Sequence, residues 1–171
     1  GDPLSRTASG LVEISQKAIE LDQIFQGPEA VEEIDLDAFL GERLAPLAAK
    51  HPDATITTEI SADTLRTDWT ILSLIVDETI SNAVEHGGDA PTVVIEATRE
   101  GDHITITVSD DGPGIPQAET EPIIAGEETK LEHASSLGLW LVYWGTRTLD
   151  GELDITTDES GSTVSLTFPD M

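Results

Sequence analysis

Three short segments, in a fixed order, constrain this chain more than any bulk property. They are Asp77-Glu78-Thr79-Ile80-Ser81-Asn82-Ala83-Val84-Glu85-His86, then Asp110-Asp111-Gly112-Pro113-Gly114-Ile115, then Ser136-Leu137-Gly138-Leu139-Trp140. The first carries Glu78 and Asn82 four residues apart, one turn apart on one face of a helix, with His86 a further turn along. The second is a glycine turn after a strand. The third is a small-residue loop opening an apolar helix.

Hydrophobic periodicity supplies the frame around them. Leu4, Leu11, Ala18 and Phe25 recur at intervals of seven, with Ile14 and Leu21 three beyond two of them, so a first helix runs from about Leu4 to Phe25 and ends at Gly27-Pro28. This narrow seam fits either a coiled-coil dimer or an amphipathic helix packed on its own domain. Asp35 to Lys50 reads as a second amphipathic helix on Leu36, Phe39, Leu40, Leu44 and Leu47, closed by His51-Pro52. Thr55 to Ile60 alternates as a short strand. Asp68 caps the next helix, whose stripe includes Ile71, Leu72, Ile75, Thr79 and Val84 and which stops at Gly87-Gly88.

Thr92 to Thr98 and His103 to Asp110 form a hairpin around Glu100-Gly101-Asp102. Leu137 to Leu149 is a strongly apolar helix, and Gly151 to Thr157 with Thr163 to Phe168 make a final hairpin around Glu159-Ser160-Gly161. Between them, Gly112 to about Ser136 has the length of a functional lid. The order predicts an α/β two-layer sandwich: a mixed β-sheet with helices on one face, preceded by an N-terminal helix. Residues 1–34 are expected to be that helix and a linker, and residues 35–171 the domain. Gly1-Asp2-Pro3 reads as an expression scar, with the chain beginning in the middle of a helix and parts of a parent protein missing.

Composition narrows the functional classes. Asp and Glu number 34 against 8 Lys and Arg, a formal net charge of -26 on 171 residues. Such a surface repels itself, and concentrated salt relieves the repulsion by shortening the screening length to about 3 Å at 1 M. The acids are spread over every segment while lysine is confined to Lys17, Lys50 and Lys130, the pattern of a halophile's protein in a salt-rich cytoplasm. Nucleic acid is not the expected partner, because a phosphate backbone needs a basic stripe. Cysteine is absent, which excludes disulfides and thiolate metal sites, and the apolar runs are too short to span a bilayer.

The three segments carry chemistry only in combination. Asn82 offers a neutral oxygen of the kind magnesium accepts alongside phosphates and waters; alone, it is a polar residue satisfied by backbone. Glu78 on the same face suits a general base or a holder of a magnesium-bound water; alone, it is a solvated helix carboxylate. Asp110 is an acceptor for an exocyclic amine, or simply a turn residue. Gly112 and Gly114 allow close backbone approach, Pro113 stiffens the bend, and Leu137-Gly138-Leu139 opens a helix whose first amides favour phosphate. In this order and context they read as a magnesium-nucleotide pocket, hence an ATP-binding domain.

From about Leu36 to Pro169 the chain resembles the ATP-binding catalytic domain of sensor histidine kinases, in the superfamily that includes gyrase, Hsp90 and MutL. Asp77 to His86 resembles the N box, Asp110 to Ile115 the first glycine box, and Leu137 to Leu139 the end of the second. The run Leu137-Gly138-Leu139-Trp140-Leu141-Val142-Tyr143-Trp144 is similar to haloarchaeal kinases. The resemblance implies the Bergerat-type ATPase fold, ATP and Mg2+ as ligands, Asn82 on the magnesium, Glu78 in the base-like position and Asp110 on the adenine amine. It further implies that Gly112, Gly114, Ile115, Ser136, Leu137, Gly138 and Leu139 line the nucleotide, and that Thr163 supports adenine through water. Residues 116–136 would be the ATP lid, and Leu4 to Phe25 the end of a second dimerisation helix. The implied partners are a phosphoacceptor histidine upstream or in trans, a response regulator, and a second copy through residues 4–25.

The chain departs from that pattern in three places. Where the second glycine box usually reads G-x-G-L-G-L, this chain has Ala134-Ser135-Ser136 before Leu137-Gly138-Leu139. If those positions need positive φ, each costs about 1 kcal/mol. Glu85 stands where many relatives carry a phosphate-binding lysine, which leaves His86, Lys130 or lid amides for that contact; His86 serves equally as a residue favourable to the helix dipole. The first helix also has no histidine, so this chain is not expected to phosphorylate itself. Two other readings stay open: a degenerate ATPase-fold module that signals by docking, and an anti-sigma-type serine kinase.

Overall fold

The computed structural model describes residues 16–113 and 134–171, the side chains of 134–137 excepted. Helix α1 covers 16–26. There follow β1 (Val31–Asp35), α2 (Leu36–Lys50), β2 (Thr55–Ile60), β3 (Thr64–Asp68) and α3 (Trp69–Glu85). Then come β4 (Thr92–Glu100), β5 (His103–Asp110), α4 (Ala134–Thr148), β6 (Glu152–Asp158) and β7 (Gly161–Pro169).

A five-stranded sheet has the order β2-β4-β5-β7-β6. The β2–β4 pair is parallel and the others antiparallel, so the sheet is mixed as the element order predicted. Period-two alternation divides its faces. Val93, Ile95, Ala97, Ile104, Ile106, Val108, Val164, Leu166 and Phe168 are buried under the helices. Thr105, Thr107, Ser109, Ser165 and Thr167 occupy the other, half-exposed face. The helices contribute Leu36, Leu40, Leu72, Ile75, Ile80, Trp140 and Leu141 to the same core, completing two layers.

Two strands went unread in the sequence. β1 and β3 pair antiparallel, from Val31 opposite Asp68 to Asp35 opposite Thr64. Only Ile34 of β1 is buried, so acids hide its alternation; β3 buries Leu65 and Thr67 but is short and polar. Residues 31–34, expected in a linker, are thus strand. The end of the chain fastens this ribbon: Met171 donates its backbone N–H to the Arg66 carbonyl at 2.8 Å, and the Arg66 N–H donates to Asp170 Oδ1 at 2.6 Å.

The predicted Asp68 cap forms, and Asp35, read as the first residue of the second helix, is a cap as well. The Asp35 side chain accepts from the Ala38 N–H at 3.2 Å to start α2. Asp68 is buried and accepts from the Ile71 N–H at 2.9 Å, and its other oxygen receives the Glu29 and Ala30 N–H groups at 2.9 and 3.2 Å. One carboxylate therefore starts α3 and anchors the chain leaving α1. Burial alone would raise its pKa, but the backbone N–H donors of Ile71, Ala30, Glu29 and Thr70 outweigh it and hold the group below the ordinary 3.8.

Helix α1 packs on its own domain. Ile24 is fully buried, Leu21 packs against the core, and Phe25 meets the Trp144 ring edge-on at 6.0 Å. The inward face is Lys17, Leu21 and Ile24, at i, i+4 and i+7. Ala18, Ile19 and Phe25 remain exposed, so the heptad seam is split between the two sides; Leu4, Leu11 and Ile14 lie outside the described residues.

Candidate functional site

Helix α3 sets the site's geometry. Its cap fixes the start, and burial of Ile71, Leu72, Ile75, Val76, Thr79, Ile80, Ala83 and Val84 fixes its rotation. Glu78 and half-buried Asn82 are left one turn apart on a less buried face. The Asn82 carbonyl accepts the His86 N–H at 3.0 Å, and His86, exposed, is the residue that closes the helix.

Glu78 is held between two other helices. A Cβ added to Gly138 would overlap Glu78 Oε1, so the carboxylate lies directly against α4 in the space that a side chain at residue 138 would take. From α1, Lys17 Nζ donates to Glu78 Oε1 at 2.8 Å and Oε2 at 2.9 Å. The Glu78 side chain retains 15% of its exposure and Lys17 21%, which shields the pair from bulk solvent.

The glycine turn after β5 reaches the other end of α3. Gly112 is buried and donates its N–H to Asp110 Oδ1 at 3.0 Å, which orients that half-buried carboxylate. A Cβ on Gly112 would lie 2.8 Å from Gly87 Cα and 2.9 Å from the His86 carbonyl oxygen, so the turn and the helix end pack backbone to backbone. The structure therefore brings Glu78, Asn82 and His86 into one frame with Asp110, Gly112 and Gly138. Leu139 is buried in the core at 6% exposure. Gly114, Ile115 and Lys130 lie outside the described residues, as do the side chains of Ser136 and Leu137.

Thr163 is placed differently from expectation. In the β5–β7 register Asp110 faces Ser162, while Thr163 faces Ser109, whose hydroxyl is 3.2 Å from that of Thr163. Directly opposed residues share a sheet face and successive residues alternate. Ser162, 2% exposed, is therefore on the Asp110 side and Thr163 on the reverse. The signal was present in the sequence: Ser162 is in phase with Val164, Leu166 and Phe168, and Thr163 is not.

The anticipated strain at the missing glycines is absent too. Helix α4 begins at Ala134, three residues earlier than the sequence suggested, so Ala134, Ser135 and Ser136 have helical backbone. Among the described residues the only non-glycine at positive φ is Asp150, at 59°.

Asp77, next to Glu78 in sequence, lines with it a cleft of about 310 Å3 between α1, α2 and α3, which Glu20, Glu42 and Arg43 also line. Arg43 pairs with Asp77 Oδ2 at 3.5 Å and lies over the Trp69 ring, 5.1 Å from its centre. Burial pushes the Asp77 carboxyl above its ordinary value; Arg43 opposes the shift, and Glu20 and Glu78 reinforce it.

Comparison with known proteins agrees with this layout. Residues 67–171 match the family described as histidine kinase-, DNA gyrase B-, and HSP90-like ATPase. The blue-light-activated histidine kinase 2 of Erythrobacter litoralis (strain HTCC2594) is 28% identical over 177 residues, an alignment covering 98% of this chain. The chain spans 47% of that relative, about half its length. The catalytic domain of histidine kinase ThkA shares the fold with a TM-score of 0.73 at 18% identity, covering 83% of this chain and 97% of that one. Full-length ShkA, solved in complex with AMPPNP, gives 0.75 at 18% identity, covering 96% of this chain and 36% of its own. The matched family spans well over half of the residues, from the cap of α3 to the end of β7. This chain belongs to the histidine kinase-, DNA gyrase B- and HSP90-like ATPases.

Proposed function

We propose that the chain is the Mg-ATP-binding catalytic domain of a two-component sensor histidine kinase, and that it transfers the γ-phosphate to a histidine on a dimerisation helix, upstream in a parent protein or in trans. The observation that carries this reading is the double junction at α3: Gly138 against Glu78, and Gly112 against His86 and Gly87. It unites the polar helix face with the two glycine segments that a nucleotide pocket requires.

The donor set fits a magnesium-bound nucleotide. Magnesium takes one or two protein oxygens and keeps phosphates and waters for the rest, and Asn82, half-buried with a carboxylate one turn behind it, supplies that kind of ligand. When bound, the ion would neutralise charge on the phosphates. Asp110, held by the Gly112 N–H, accepts from the adenine amine, and Ser162 beside it supplies a hydroxyl. Glu78 accepts the proton of the attacking group or orients it. His86, Lys130 and the amides at the start of α4 are the further phosphate contacts. Such a domain works chiefly by positioning and by electrostatics.

A response regulator would receive the phosphoryl group in turn. The exposed Ala18, Ile19 and Phe25 favour a second copy packed along α1, and the charge of -26 favours a salt-rich cytoplasm. The second reading, a degenerate signalling module, rests on Ala134 and Ser136 at the second glycine box. Restoring both to glycine would then create nucleotide affinity.

The test is label transfer from γ-phosphate-labelled ATP with magnesium to a histidine-bearing dimerisation helix. An acid-labile, alkali-stable phosphohistidine is expected. Acid-stable phosphoserine on a protein partner would reassign the chain to the anti-sigma-type serine kinases.

A further inference from the structure

A nucleotide's phosphates bring more negative charge to a chain that already carries 34 acids and 8 Lys and Arg. Helix α3, which would face those phosphates, has no basic residue in its last turn, and Glu85 is exposed and accepts from Ser81 Oγ at 3.3 Å. Among the ion pairs of the described residues, the one made to a candidate site residue is Lys17 with Glu78.

The setting of Lys17 is specific. It shares the inward face of α1 with Leu21 and fully buried Ile24, so the helix cannot dock without presenting it. Its ammonium is anchored on both Glu78 oxygens, and the same carboxylate abuts Gly138 in the first turns of α4. An ammonium is a compact charge with three donors on a flexible stem; two donors are taken by Glu78, which leaves one. A positive charge from outside the α/β layers is thus stationed beside the second turn of α4, the helix whose start the proposed function assigns to the phosphates.

We infer that Lys17 is a nucleotide-phosphate-binding residue contributed by α1, so that the site is complete only when α1 is docked. The inference rests on the Mg-ATP-binding reading above and adds a residue and a dependence to it. It supplies the cation that Glu85 does not, and it makes nucleotide binding and the docking of α1 favour each other.

Calorimetric titration tests it, with Mg-ATP and with adenosine, on the unmodified chain and on Lys17→Met, Lys17→Gln, Lys17→Arg and Arg147→Met. Each would be assayed in potassium chloride at a concentration where circular dichroism shows it folded. Loss of a charged hydrogen bond should weaken ATP binding roughly ten- to a hundredfold in Lys17→Met and Lys17→Gln. Adenosine affinity should not move, Lys17→Arg should recover most of the loss, and Arg147→Met, the same charge change at the far end of α4, should behave as the unmodified chain. ATP affinity unchanged in both neutral variants would overturn the inference alone. So would tighter binding, which would mark the ion pair as a restraint on Glu78, and so would equal loss of ATP and adenosine, which would mean a purely structural role for α1. A folded, unmodified chain that binds no ATP would instead bring down the underlying reading.

Discussion

Gly138 and Glu78 touch across two helices that are sixty residues apart in sequence, and a methyl added at residue 138 would displace the Glu78 carboxylate. The contact joins the second glycine box to the N box and sets where the Glu78 carboxylate can lie. Gly138→Ala should therefore push the Glu78 carboxylate off its Lys17 contact and destabilise the domain by about 1 kcal/mol. Combining it with Glu78→Ala should recover part of the loss, because the second change removes the atom that is struck. Chemical denaturation of the double-mutant cycle measures this, and strict additivity would mean that the two residues do not meet.

The strand register gives a second test. Ser162 lies opposite Asp110 and Thr163 on the reverse face. Ser162→Ala should weaken adenosine binding, whereas Thr163→Val should leave it unchanged. Fluorescence competition with adenosine would read both, and the opposite ranking would contradict the assigned register.

How much of this was legible in the sequence depends on the length of each signal. α3, β2 and β5 carry long or regular periodicities, and their limits match the sequence reading to within a residue or so. β1 and β3 escaped because each is only five residues long and buries a single hydrophobic side chain, Ile34 or Leu65, and only their mutual pairing makes them strands. Within the site, Glu78, Asn82 and Asp110 follow from local motifs. The Lys17 contact joins residues 61 positions apart and has no local signature, and Ile24 sits between the seam positions that a heptad search favours. The motif points to Thr163, whereas strand phase points to Ser162.

Asp68 offers a stability test with a defined pH dependence. Asp68→Ala removes a helix cap and strands the Glu29 and Ala30 N–H groups, which should cost about 2–3 kcal/mol. The native carboxyl titrates below 3.8, so its stabilisation is complete above that pH and is lost as the pH falls through the lowered native value. Thermal melts should show the wild-type advantage persisting at neutral pH and shrinking below pH 3.8. An advantage independent of pH would rule out the ionised cap as its source.

Asp77 should behave in the opposite sense. Its pKa is raised in the fold, so its favourable contribution is complete below 3.8 and is lost as the pH rises through the raised native value. Asp77→Asn should then stabilise the domain at neutral pH and lose that advantage in acid. Destabilisation at neutral pH would show instead that the Arg43 contact outweighs the burial.

The central claim is that α3 and the two glycine segments form a magnesium-nucleotide site with Asn82 as the metal's protein ligand. Calorimetric titration of ATP, with and without magnesium, in molar potassium chloride tests it most directly, on the unmodified chain and on Asn82→Ala. Magnesium-dependent binding that disappears in a folded Asn82→Ala variant is the expected result; equal ATP affinity in the two proteins, or none in either, would contradict it.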